Sequence, residues 1–227
     1  MTLIVFKDNV LAGDSRSTRS IPPEVGGEPY TCGHCSKPAS VVRDATDKLV
    51  LMRSKHKPSF RGDKILAFAA AGETSIIANM RSIIRYGKNI EEVYENYRSI
   101  LGTFEENKTT CTMLLVCENK NYTIRIPKKG KLIVKEYEKK DFIAIGSGQV
   151  AAQWINRLIP NITAPLIINM VMVEGVEVGV GGDIRTIDFN TSEPSILPAT
   201  KYDPQFLVDM ANKAFSQGEE VITNSLD

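Results

Sequence analysis

Two short apolar runs, Thr2 to Phe6 and Val10 to Ala12, flank the polar residues Lys7, Asp8 and Asn9. This pattern predicts a β-hairpin with the three polar residues in its turn. Gly13-Asp14-Ser15 is expected to end the second strand. From Arg16 to about Thr46 the chain is rich in Ser, Pro, Gly and charge, and carries Cys32-Gly33-His34-Cys35. It reads as a long irregular excursion, longer than connections in compact domains usually are, and so expected to be functional or partly mobile. Lys48 to Met52 is a further apolar run. Lys64 to Gly72 reads as a buried strand passing into small residues, where a partner group must approach closely.

Glu73 to Arg85 switches to helical spacing, with Ile76, Ile77, Met80, Ile83 and Ile84 on one side. Ile90 to Tyr97 predicts a second helical stretch. Strands follow at Cys111–Cys117, Tyr122–Ile126, Leu132–Val134 and Phe142–Ile145, punctuated by Asn- and Lys-Gly-rich turns. Gly146-Ser147-Gly148 then opens a helix through Leu158, and another is expected across Ala164 to Glu174. Ile184 to Phe189 returns to strand. Asp203 caps a terminal helix over Pro204 to Phe215, with the proline just inside its start.

This order of strands, helices, strands, helices, strand and helix predicts an α+β fold in which two sheets lie between helix layers. A parallel dinucleotide-binding fold needs regular strand–helix alternation and a Gly-rich fingerprint after its first strand. Both are missing. The 227 residues are read as one domain, 1–227, with the irregular insertion at about 16–46 and a C-terminal helix and tail at about 203–227.

Charge changes the picture only by exclusion. Lys and Arg number 28 against 27 Asp and Glu, which argues against a protein built mainly to grip nucleic acid. No run reaches the roughly 18 apolar residues of a membrane span. The N-terminus lacks the features of a secretory signal. The expectation is a cytoplasmic protein with neither nucleic-acid nor membrane partners.

Thr2 is the first candidate for chemistry. A threonine hydroxyl is a weak nucleophile without an adjacent base. An N-terminal threonine carries its own base, an α-amine with a pKa of about 7.7–8.0. Removal of Met1 is required, and is an ordinary event before a small residue. The hairpin folds Asp14 back toward the start of the first strand, where Lys48 can pair with it. A cation there favours the ionised hydroxyl and a neutral amine. Gly72 offers an unobstructed N–H to a developing oxyanion, or simply makes a strand-to-helix turn. Ser147 either orients the terminal amine or caps the helix that follows.

Cys32-x-x-Cys35 is half of a tetrahedral zinc site that His56 or Cys111 could complete. A redox pair and plain loop thiols are the alternatives. The chemistry at Thr2 needs no cofactor, and a structural zinc would serve only to hold the loop.

MTLIVFKDNVLAGDS, Lys48, Ala69-Ala70-Ala71-Gly72 (in DKILAFAAAG) and Gly146-Ser147-Gly148 (in FIAIGSG) occur in the order seen in the proteasome β-type peptidases. The chain resembles that family from about Thr2 to Phe189, and especially its bacterial ring peptidases that work with an ATP-driven unfoldase. The resemblance implies an N-terminal nucleophile hydrolase fold, a four-layer αββα sandwich. It implies a threonine-type endopeptidase that hydrolyses unfolded polypeptides inside a chamber of homo-oligomeric rings. Thr2 is then the nucleophile, Asp14 and Lys48 tune it, Gly72 supplies the oxyanion N–H and Ser147 supports the amine. Ala70 is expected to face the substrate side-chain pocket.

The chain departs from the family pattern in its hairpin, about four residues shorter, and in the long stretch before Lys48. A late Asp-x-x-Ser-Gly signature is replaced by Glu177-Val178-Gly179-Val180-Gly181-Gly182-Asp183. Two other readings stand beside the peptidase. One is an inactive scaffold subunit of a proteasome-like assembly. The other is an N-terminal nucleophile amidase acting on small molecules.

Overall fold

In a computed structural model, which describes residues 2–15, 17–20, 40–43, 48–52, 58–72, 74–85, 111–126, 132–173, 183–191 and 195–200, the first hairpin joins β1 (Leu3–Lys7) to β2 (Val10–Asp14). Its turn is Asp8-Asn9 alone, at φ 51° and 58°. Two successive left-handed residues suit the twist of a tight hairpin, and Asp and Asn tolerate that conformation best after Gly. Lys7 therefore belongs to the strand, not to the turn. The second strand also runs on through Gly13 and Asp14 instead of breaking there. It gains ladders on both sides, with Ile4 opposite Gly13 and Ile184 opposite Asp14.

The stretch read as irregular, 16–46, contains an antiparallel ladder of β3 (Ser17–Ser20) with β4 (Ser40–Arg43). Next come β5 (Leu49–Leu51), β6 (Ser59–Phe60) and β7 (Asp63–Gly72), which leads into α1 (Thr74–Arg85). A meander of β8 (Cys111–Cys117), β9 (Asn121–Ile126) and β10 (Ile133–Tyr137) precedes β11 (Ile143–Gly146). The remaining described elements are α2 (Gln149–Leu158), α3 (Ala164–Val173), β12 (Ile184–Asp188) and β13 (Ser195–Thr200). The helices expected at Ile90–Tyr97 and Pro204–Phe215 lie outside the described residues.

Apart from the two-stranded β3–β4 ladder, the described strands form two antiparallel sheets, ordered β11-β1-β2-β12-β13 and β10-β9-β8-β7-β5, with β6 beside β7. The chain is thus an α+β fold with two antiparallel sheets. Alternation along each strand sorts the apolar side chains into three clusters. Ile4, Phe6, Leu11, Ile143 and Ile145 of the first sheet meet Leu49, Ala67, Ala69, Leu114 and Val116 of the second. The other face of the first sheet, with Leu3, Val5 and Ala144, packs on Ala152 of α2 and on Ile167, Ile168 and Val171 of α3. The other face of the second sheet, with Phe68, Ala70, Met113 and Leu115, packs on Met80 and Ile84 of α1.

β1 is buried from both sides, and this fixes the start of the chain. Leu3, Ile4, Val5 and Phe6 are fully enclosed, and each such side chain stabilises the fold by about 1.5–3 kcal/mol relative to exposure. No helix among the described residues is long and apolar enough to cross a membrane.

Candidate active site

Three strand registers converge on Thr2. β1 pairs antiparallel with β11 so that Leu3 lies opposite Gly146, which sets Ser147 beside Thr2. β1 pairs with β2 so that Ile4 lies opposite Gly13, which sets Asp14 beside Leu3. β5 pairs with β7 through Leu49 and Ala69, which carries Lys48 to the end of β7 where Ala71 and Gly72 lie.

Asp14 is the hub. Leu3 N–H donates to its Oδ1 at 2.7 Å and Lys48 Nζ to its Oδ2 at 2.9 Å. The pair is shielded from water, with side-chain exposures of 0% for Asp14 and 7% for Lys48. The carboxylate thereby ties the lysine to the peptide that joins Thr2 and Leu3. Gly13 eases the approach. A Cβ at that position would lie 2.9 Å from Leu49 Cδ2, and the end of that leucine would have to shift to admit it.

Thr2 is gripped from the opposite side by the β11–α2 turn. Ser147 N–H donates to the Thr2 carbonyl at 2.9 Å. Ser147 Oγ lies 3.4 Å from both the nitrogen and the carbonyl oxygen of Thr2, long for hydrogen bonds but within range. The helix-capping alternative for Ser147 does not hold, because the cap of α2 is Gly148, with no side-chain capping bond. Gly146 has φ +102°, and a Cβ there would fall 2.0 Å from the Thr2 carbonyl oxygen. Only a glycine can sit under Thr2 at this point.

These residues border a groove of about 680 Å³ lined by Thr2, Ala71, Gly72, Gly146 and Ser147. Asp14 and Lys48 stand behind Thr2 and are not part of the lining. The groove continues along the open end of β8, β9 and β10 through Thr112, Thr123, Arg125 and Lys135. Ala70 does not face it. Its side chain points into the cluster with Phe68, Met113 and Ile84, and its neighbour Ala71 takes the groove position because side chains alternate along a strand.

The sequence names Gly13 and Gly146 within their motifs but not the close approaches they allow, and it does not single out Arg125 and Lys135. The two cations had a visible signal in the alternation of β9 and β10, where Thr123 and Arg125 share a face, as do Ile133 and Lys135.

Cys32, Cys35 and His56 lie outside the described residues. Among the described residues no group of three or more His, Cys, Asp or Glu is placed to hold a metal ion. Cys111 is a free, buried cysteine whose thiol is pushed up to about 12 by desolvation. No family model matches the chain, and no curated protein matches it.

Proposed function

We propose that this chain is an N-terminal threonine hydrolase of the proteasome β-type family, a threonine peptidase with a four-layer αββα sandwich. One observation carries the reading: side chains from three separate segments, Asp14, Lys48 and Ser147, gather about the first residues of β1. Asp14 binds both the Leu3 amide and Lys48, while Ser147 reaches the Thr2 nitrogen from the opposite side. A β-strand that merely began at Thr2 needs neither a buried ion pair behind it nor a hydroxyl at its amide. The placement of helices on the outer faces of the two sheets supports the sandwich.

Removal of Met1 turns the Thr2 nitrogen into an α-amine beside Ser147 Oγ. The amine takes the proton of the Thr2 hydroxyl, directly or through water, and the oxygen attacks a peptide carbonyl. The Gly72 N–H stabilises the oxyanion that develops. Collapse expels the amine product and leaves an ester on Thr2. Water activated by the same α-amine then hydrolyses the ester and restores the enzyme. Lys48, held by Asp14, favours the ionised hydroxyl through its positive charge.

A homo-oligomeric ring supplies the confinement that an unselective peptidase needs, and an ATP-driven unfoldase would feed it. Exposed apolar side chains support self-association. Val150, Trp154 and Leu158 are 64%, 58% and 61% exposed and recur every four residues along α2, so they share one face. Burying such a stripe against a second copy is the favourable use of it.

The deciding experiment treats the purified full chain with a threonine-directed β-lactone or epoxyketone and measures its intact mass. A species lacking Met1 with a single adduct on Thr2, absent from Thr2→Ala, is the expected result. Retained Met1 and no adduct would instead indicate a scaffold subunit.

A further inference from the structure

The inward face of the second sheet changes character along its strands. Leu114 and Val116 of β8 pack against the first sheet. Two residues earlier on the same face stands Thr112, opposite Arg125, and Leu114 stands opposite Thr123. Arg125 in turn faces Ile133, and Thr123 faces Lys135. Hence Thr112, Thr123, Arg125 and Lys135 share the face on which β7 and β8 carry apolar core residues. All four line the groove that also holds Thr2.

Arg125 and Lys135 are both exposed at the groove, so each can exchange water for an anion without a large desolvation cost. No carboxylate is among the described residues that line the groove. The nearest acidic residue of β10, Glu136, points to the opposite face, where it pairs with Lys120. Lys135 Nζ sits 4.7 Å from the centre of the Tyr137 ring, a contact that holds the ammonium over the groove while leaving its N–H groups for another acceptor. Arg125, exposed at the end of β9, adds a planar fork suited to a carboxylate. Exposed Ile133, beside Arg125, offers apolar contact to the stem of a bound side chain.

We propose that Arg125 and Lys135 are specificity residues that select peptide substrates bearing an acidic side chain next to the bond cleaved at Thr2. This rests on the peptidase reading of Thr2 for the position of the cleaved bond. The selection of a carboxylate by the groove rests only on the two cations and their setting.

Binding and turnover are therefore measured separately. Fluorescein-labelled octapeptides that differ only in a central Glu, Gln or Lys are titrated against the full-length Thr2→Ala chain, with anisotropy as the readout. The Glu peptide is expected to bind about tenfold tighter than the Gln peptide at low salt, with the preference shrinking at about 0.5 M NaCl. In Arg125→Gln/Lys135→Gln the two affinities converge to within about twofold, and Arg125→Glu/Lys135→Glu prefers the Lys peptide. Equal affinities in the parent, no binding of either peptide, or a Glu preference that survives loss of both cations overturns the proposal. Hydrolysis of the same peptides by the unsubstituted chain is scored on its own. Selective binding without cleavage rejects the peptidase reading and keeps the carboxylate site.

Discussion

The Lys48 ammonium lies 2.9 Å from Asp14 Oδ2, with both side chains withdrawn from solvent. Removing one partner strands a charge in the interior, which costs about 3–5 kcal/mol, whereas replacing both with apolar groups of similar size costs much less. Lys48→Met and Asp14→Leu should each lower the unfolding free energy by that amount in urea titrations. The double variant should lose less than the sum. Additive losses would mean that the two charges do not act as a pair.

Gly146→Ala tests the seat beneath Thr2. The substitution combines a φ of +102° with a Cβ 2.0 Å from the Thr2 carbonyl oxygen. Backbone strain and the displaced β1–β11 ladder should together cost about 3 kcal/mol or more. A thermal melt indistinguishable from that of the parent chain would contradict this geometry.

Ser147→Ala separates positioning from stability. Ser147 is exposed and its hydroxyl makes only long contacts with Thr2, so the fold should change by less than about 1 kcal/mol. Peptide hydrolysis should fall about fivefold to tenfold, the worth of one modest hydrogen bond in the transition state. The pH dependence of kcat should shift as well, since the hydroxyl addresses the nitrogen that acts as base. A drop in KM alone, with kcat and its pH profile intact, would remove Ser147 from this role.

Cys111 and Cys117 give a pH signature. Burial pushes both thiols from an ordinary value of 9.0 up to about 12. Between those values the unfolded chain has released protons that the folded chain retains. Stability is therefore full below pH 9 and falls as pH rises toward 12, by up to about 1.4 kcal/mol per pH unit for each thiol. Cys111→Ala/Cys117→Ala should flatten that decline in denaturation curves at pH 9 to 11. At pH 8 neither thiol should react with iodoacetamide until the fold is opened, as peptide mass mapping can check.

Trp154→Glu addresses assembly. With Val150 and Leu158 on the same exposed face of α2, a charge there should weaken the proposed contact between copies. Sedimentation should show a lower mass than the parent chain at equal concentration, with the melt of the subunit itself little changed. An unaltered sedimentation profile would remove this face from the proposed assembly.

Much of this architecture is written locally. Alternation and apolar runs predict β1, β7, β8 and β9 to within a residue or two, and helical spacing finds α1, α2 and α3. Pairing partners are not local. That Gly13-Asp14 continues a strand depends on β12, which lies some 170 residues further along the chain. The β3–β4 ladder depends on two four-residue segments, Ser17–Ser20 and Ser40–Arg43, too short to carry an alternation of their own. At the site, residue type and order pointed to Thr2, Asp14, Lys48 and Ser147. The glycine under Thr2 and the small-residue passage for Leu49 became visible only once two strands were laid side by side. Ala70, which the resemblance placed at the substrate pocket, packs beside α1 and not in the groove, because the side of a strand that faces a groove is set by register.

The exposed tip at Asp8-Asn9 governs the buried end of its own hairpin. Because the two left-handed residues pin Lys7 opposite Val10, they also decide, five residues away, that a carboxylate and not a neighbouring glycine or serine stands beside the Leu3 amide. A residue added inside β2 itself, between Val10 and Asp14, would swing Asp14 to the other side of the sheet and leave Lys48 stranded.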